Sequence, residues 1–216
     1  MGDDVGLREL KRARTRTAIT RAAHELFRER GFERTTVEHI ARRAEVAVQT
    51  VFNHMSSKEE MFFADRIPWV ERVAAPPCAG RDETCGQAVV RQLTEASVGY
   101  LQDLADPAYL DMAAQIEAVP ALGKYERAVH TRAEETLAGH LGEAGLSAMP
   151  RLTAALLLAT TRVHAHEHRQ RVIAGTPLDA SLRQVADELP HYLTGVLAVV
   201  RPPAAVTARI PERLPG

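Results

Sequence analysis

The stretch ERTTVEHIARRAEVAVQTVFNH, residues 33–54, holds two short helix-like strings with about four residues between them. Val37, Ile40, Ala41 and Ala44 recur at helical spacing in the first string, and a second short helix is expected from about Val48 to His54. A helix of roughly eight residues is marginal alone in water, because nucleation is costly. Both pieces must therefore be held by packing. The stripe Ile19, Ala22, Ala23, Leu26 and Phe27 of a preceding helix supplies the surface, and Gly31 ends that helix before Phe32. Thr35 or Thr36 caps the second helix, with Glu38 favourably placed in its first turn. Val37, Ile40, Val46, Val51 and Met55 are expected to pack on the first helix. The other face of 47–54 then carries Val48, Gln49, Thr50, Phe52, Asn53 and His54. A major groove admits a short helix presented in this way. The pattern is that of a helix-turn-helix, and its second piece is the reading helix.

Charge supports an anionic partner at this end of the chain. The whole of the 216 residues has a formal net charge of −1, yet eleven Lys/Arg face six Asp/Glu between Arg8 and His54. Arg8, Lys11, Arg12, Arg14, Arg16 and Arg21 make the opening densest, so a basic N-terminal arm is expected. Hydrophobic residues at 45% and charged residues at 25% suit a globular chain long enough to bury a core without metals or disulfides.

Beyond Ser57 the periodicity predicts further helices near 57–74, 84–105, 107–118, 121–144, 150–173 and 179–200. Ser56 or Ser57 caps the first of these, and Pro76-Pro77, Pro107, Pro120, Gly145, Pro150 and Pro177 punctuate the rest. No strand alternation and no internal repeat is present, so the expected class is all-α. A helix-turn-helix domain over 1–56, a helical ligand-binding and dimerisation domain over 57–201 and a disordered tail over 202–216 are expected.

With these residues in view, ITRAAHELFRERGFERTTVEHIARRAEVAVQTVFNHMSSKEEMF resembles the N-terminal domain of TetR-family transcriptional regulators. The marks are AA..LF..RGF, TTV..IA, QTVFNH and SKEE, in that order, over residues 17–62. The resemblance implies an all-α homodimer whose larger domain takes a small-molecule effector and whose partner is a double-stranded DNA operator. No resident cofactor and no membrane are implied. Four positions depart from the family pattern. Glu45 stands where Gly is common, Ala47 replaces the usual capping Ser, Phe52 lacks the hydroxyl of the usual Tyr, and His54 occupies another frequent Tyr position. A left-handed Glu45 and an uncapped helix would each cost roughly 1 kcal/mol.

Roles follow by chemistry and by this match. Arg12, Arg14 and Arg16 are candidates for phosphate or minor-groove contact. Thr36 and Lys58, each at a helix start, are phosphate positions. Gln49 suits a bidentate pair with adenine, Val48 and Thr50 suit a thymine methyl, and Asn53 and His54 reach phosphate or base edges.

In the larger domain, Leu156 and the stripe Leu182, Val185, Leu189, Leu193 and Val196 are the expected dimer surface, since two reading helices must align about one DNA turn, ~34 Å, apart. Phe62, Phe63, Trp69, Tyr100, Tyr109, Met112 and Tyr125 are the large side chains expected to line or flank an effector cavity. No charged cluster is evident, so a hydrophobic or aromatic effector is expected. Trp69 would report its entry, and Pro68 would kink or end the helix that carries it. His164 and His168 lie four apart, but a third metal ligand is missing and a partly exposed polar stripe is the expectation. Cys78 and Cys85 read as ordinary loop thiols, and residues 1–10 lack a signal peptide's apolar run, so a cytoplasmic protein is expected. Neither HExxH, a nucleophile motif nor a glycine-rich phosphate loop supports an enzyme. A helical enzyme or a DNA-independent adaptor remains the alternative to a regulator.

Overall fold

The computed structural model describes residues 3–66 and 83–200, and all regular structure among them is helical. The helices are α1 (Asp3–Arg30), α2 (Val37–Arg43), α3 (Val48–His54), α4 (Lys58–Phe63), α5 (Cys85–Asp103), α6 (Pro107–Ala118), α7 (Pro120–Glu143), α8 (Pro150–Ile173) and α9 (Leu178–Val199). The sequence boundaries agree closely from α5 onward. The expectations placed on Pro68, Trp69, Cys78 and the tail from 202 lie outside the described residues.

Local chemistry sets most helix starts. Thr36 caps α2 in a reciprocal box with His39, Ser57 caps α4 through the Glu60 amide, Thr84 caps α5 with Gln87, and Asp106 caps α6 ahead of Pro107. Ala47 gives α3 no side-chain cap. Between α2 and α3, Val46 N–H donates to Ala41 O at 3.0 Å and Glu45 N–H to Arg42 O at 3.3 Å, closing a Schellman turn with Glu45 at φ 56°. The chain thus places a glutamate in the left-handed position expected from the sequence.

Two apolar clusters organise the molecule. The first joins α1–α4 and is filled by Ile19, Leu26, Phe27, Ile40, Val51, Met55 and Phe62. It also takes in Met112 and Ile116 of α6 and Leu122 of α7, so the second half of the chain closes the core of the first. The second cluster lies among α5, α7, α8 and α9 around Leu93, Leu101, Leu141, Leu157, Val185, Leu189 and Leu193. Val185, Leu189 and Leu193 are fully buried there, which removes them from the expected dimer surface. Leu182 and Val196 pack partly against the same core. The apolar stripe of α9 faces its own chain because α5 and α8 cover it.

Candidate functional site

Helix α3 is set by its neighbours. Val51 of α3 and its C-cap Met55 are buried against the α1–α4 core, while Gln49, Phe52 and Asn53 are exposed and Val48, Thr50 and His54 are half-buried. Gln49 Nε2 donates to Asn53 Oδ1 at 3.2 Å, which pre-orders one edge of the outward face. Arg16 Nη1 donates to His54 O at 2.7 Å, and Nη2 reaches Glu60 Oε1 at 3.5 Å. That guanidinium caps the last turn of α3 and ties it to α1 and α4. On the other side, Arg43 bonds Glu25 and Glu29, fixing α2 on α1.

Besides Arg16, three of the expected phosphate groups, Arg12, Arg14 and Lys58, are placed differently from the sequence reading. Residues 3–18 belong to α1, so Arg12 and Arg14 project from a helix rather than from an extended arm able to follow a minor groove. Both are exposed. Lys58 Nζ donates to Phe32 O at 2.9 Å and Thr35 O at 3.0 Å, and lies 4.1 Å from the Phe32 ring centroid. It clamps the α1–α2 turn, with one ammonium hydrogen left for a phosphate. Thr36 remains exposed at the start of α2.

Behind this domain, α6, α7 and α8 enclose a cavity of about 360 Å³. Phe63, Tyr100 and Met112 line it, as expected from the sequence. Phe62 does not, since it is fully buried in the aromatic cluster with Phe27, Phe32 and Phe63. Tyr125 stacks on Phe63 with centroids 5.2 Å apart, and Tyr109 packs against the α1–α4 core. Trp69 lies outside the described residues.

The same wall carries a charged cluster that sequence inspection misses, because its members come from four helices. Arg169, only 3% exposed, bonds Glu117 of α6, Glu126 of α7 at 2.6 Å and the Tyr100 hydroxyl of α5 at 2.8 Å. Burial alone would lower its pKa, but Tyr100 and Glu126 outweigh that and raise it. Burial pushes Tyr100 up to about 12, so its hydroxyl stays protonated at neutral pH. The helical spacing of Arg162, His166 and Arg169 was the available signal, and His166 bonds Glu117 within the cluster at 3.2 Å.

His164 and His168 face elsewhere, toward α9. Their rings are 4.8 Å apart and His164 Nε2 is 3.5 Å from Glu188 Oε2. His168 is buried, not part of an exposed stripe. Among the described residues no group of three or more His, Cys, Asp or Glu side chains is arranged to hold a metal ion. No described helix is long and apolar enough to cross a membrane.

Residues 19–64 match the family model for bacterial regulatory proteins of the tetR family. Residues 19–64 form a tetR-family domain. The domain is similar to the HTH-type transcriptional regulator TcmR of Streptomyces glaucescens, 52% identical over 56 residues. That match covers 26% of this chain and about a quarter of the length of TcmR. The fold around the TetR-family domain is similar to that of solved structures. NalD, a secondary repressor of a multidrug efflux pump in Pseudomonas aeruginosa, has 20% identity, covers 84% of this chain and 97% of its own, and gives a TM-score of 0.55. GusR of Salmonella enterica is 24% identical over 85% of this chain and 95% of its own, with a TM-score of 0.53. SmeT, the repressor of a Stenotrophomonas maltophilia efflux pump, is 22% identical over 93% and 97%, with a TM-score of 0.53.

Proposed function

We propose that the chain is a ligand-responsive transcriptional regulator, acting as a repressor in the cytoplasm. It binds a palindromic operator as a homodimer and leaves it when a small molecule with an apolar or aromatic body enters the α6–α8 cavity. The observation that carries this reading is the outward face of α3: Gln49, Phe52 and Asn53 stand exposed on a short helix held at both ends by packing and by Arg16. The regulator named TcmR, and repressors of the same fold such as NalD and SmeT, one of them determined in complex with triclosan, support it.

We divide the labour by residue chemistry. Arg12, Arg14, Thr36 and the third hydrogen of Lys58 position the protein on phosphates, and Gln49 with Val48, Thr50 and Asn53 reads bases. His54 supports the reading helix, while Phe52 offers an apolar edge. The dimer surface is assigned to the faces of α8 and α9 turned away from the core, with Leu156 retained from the sequence reading and Val163 and Tyr192 added.

Binding-site selection followed by salt titration tests this function. A selected palindrome should bind with log K falling by about 0.9 per phosphate contact as log salt rises. Gln49→Ala should relax preference at one base pair per half-site and cost roughly 1–3 kcal/mol of discrimination there. Failure to select any sequence, or binding that is flat in salt, rejects the regulator reading.

A further inference from the structure

The cavity wall holds more positive charge than its own acids neutralise. Gly123, Glu126, Arg127 and His130 follow helical i, i+3, i+4, i+7 spacing along α7, and Arg162, Ala165, His166 and Arg169 do the same along α8. Each helix therefore turns one polar face to the cavity. Arg169 engages both acids of that wall, Glu117 and Glu126, and Gln170 donates to the second Glu117 oxygen at 3.0 Å. Arg127 and Arg162 form no ion pair with a side chain among the described residues, although both line the cavity.

Arg127 is exposed at the cavity wall and Arg162 is half-buried there. Arg127 Nη1 lies 3.5 Å from the position that a Cβ on Gly123 would take, so this guanidinium folds back across the glycine at the cavity wall. Arg162 stands close enough to His130 to oppose its protonation, after burial, which is the main reason that ring is held below its ordinary pKa. His130 Nδ1 lies 2.9 Å from Glu126 O, a contact in which the ring donates. Arg66 enters from the end of α4, partly desolvated, with Tyr109, Asp111 and Asp106 as well as Arg28 acting on its charge. Neither Arg127 nor Arg162 is paired with a described acid, so both guanidinium forks remain available to an incoming anion. The remaining wall is apolar, with Phe63, Met112, Ile116, Val119 and Val129.

We propose that the effector is an amphipathic organic anion whose carboxylate is held between Arg127 and Arg162 and whose apolar body lies against Phe63, Met112 and Ile116. Planar guanidinium forks match a carboxylate in two-point geometry, which a neutral amide cannot reproduce. A cavity of about 360 Å³ with apolar walls favours a body larger than an inorganic anion. This inference rests on the reading of that cavity as the effector site.

Calorimetric titration of the full chain with naphthalene-2-acetate, 4-phenylbutyrate and decanoate, each against its primary amide, tests it. At least one acid should bind, with its amide about tenfold or more weaker. Arg127→Gln and Arg162→Gln should each weaken the acid by about tenfold and leave the amide unchanged, while Arg183→Gln, on the exposed side of α9, changes neither. Thermal melts of the variants should match the parent, since neither arginine holds an ion pair to a described residue. Equal affinity for acid and amide, indifference of acid binding to both substitutions, or no binding of any acid at about millimolar concentration overturns the proposal. Operator binding in the same samples separates the two readings. Acid binding with the expected pattern but no DNA binding removes the regulator and keeps the anion site. DNA released only by neutral compounds does the reverse.

Discussion

Gln115 and Glu117 stand two residues apart on α6 and bond to opposite halves of the molecule. The Gln115 amide accepts from Phe32 N–H at 2.9 Å and donates to Phe27 O at 3.3 Å, at the junction of α1 and α2. Glu117 accepts from Arg169 in the cavity wall. Residues two apart on a helix are about 200° apart around its axis, so one rigid rod carries both contacts.

A double-mutant cycle should expose that coupling. Glu117→Gln weakens the Arg169 cluster and should change operator affinity severalfold even though it lies far from DNA. In a Gln115→Ala background the same change should shrink toward nothing, because the bond to Phe32 is gone. Gln115→Ala itself should lower stability by about 1–2 kcal/mol, the cost of leaving a partly buried N–H without its acceptor. Additive effects on operator affinity would show that α6 does not connect the two sites.

The Arg169 cluster should respond asymmetrically to substitution. Arg169→Met alone leaves Glu117 and Glu126 facing each other without their cation, a loss of roughly 3–5 kcal/mol. Arg169→Met combined with Glu117→Gln and Glu126→Gln should recover most of it in urea denaturation. The pH dependence has a definite sign. Burial acts to raise the Glu117 pKa, but hydrogen bonding from Gln170 and the charge of Arg169 bring it net below its ordinary 4.5. Its contribution is therefore present above the ordinary carboxylate range and is lost as pH falls through the depressed value. Arg169→Met should remove that acid-side loss, and an unchanged profile would refute the assignment.

His24 gives the DNA-binding domain a second, earlier acid sensitivity. Its Nε2 donates to Met61 O at 3.1 Å, and burial, followed by the charge of Arg66, lowers its pKa from 6.5 to about 4. The unfolded chain therefore binds a proton that the folded one refuses. Stability is full above about pH 6.5 and falls as pH drops toward about 4, by roughly 1–2 kcal/mol once the ring's partial exposure is discounted. His24→Gln keeps a donor for Met61 and has nothing to titrate. Denaturation midpoints compared at about pH 7 and about pH 4.5 should fall further in the parent than in this variant.

The helix-turn-helix was legible because the main local signals agreed, the stripe from Ile19 to Phe27 and caps at Thr35 or Thr36 and at Ser56 or Ser57, even though Ala47 leaves α3 uncapped. Glu45 could be placed in a left-handed turn from sequence alone. The roles of Arg16 and Lys58 were not legible, since both act across the chain, Arg16 on His54 O and Lys58 on Phe32 O and Thr35 O. Helices α5–α9 were found by periodicity, but periodicity does not say which neighbour a stripe faces. The stripe with Leu189 and Leu193 reads as an interface in sequence, and α5 and α8 are found to cover it instead. For the same reason no spacing in the sequence connects Glu117, Glu126 and Arg169; only packing brings their three helices to one point.

The outward faces of α8 and α9 yield the last prediction. Leu152, Leu156 and Val163 on α8 and Tyr192 and Val199 on α9 are large apolar side chains left between 38% and 81% exposed. Leu152 and Leu156 are four apart and Val163 seven further on, while Tyr192 and Val199 are seven apart, so each set keeps to one side of its helix. Tyr192 stands 5.7 Å from the His164 ring, which makes the two sets one continuous surface. A second copy of the chain, packing these faces into a four-helix contact, would set the spacing of the two reading helices near one DNA turn, ~34 Å. Leu156→Arg with Tyr192→Asp should then give a folded monomer by sedimentation, with a melting temperature little changed because both side chains are exposed. Its affinity for a full palindrome should drop toward that for a half-site. Leu189→Arg should behave differently and unfold the domain, since it forces a charge into a site with no exposure. A double variant that still sediments as a dimer would place the interface elsewhere.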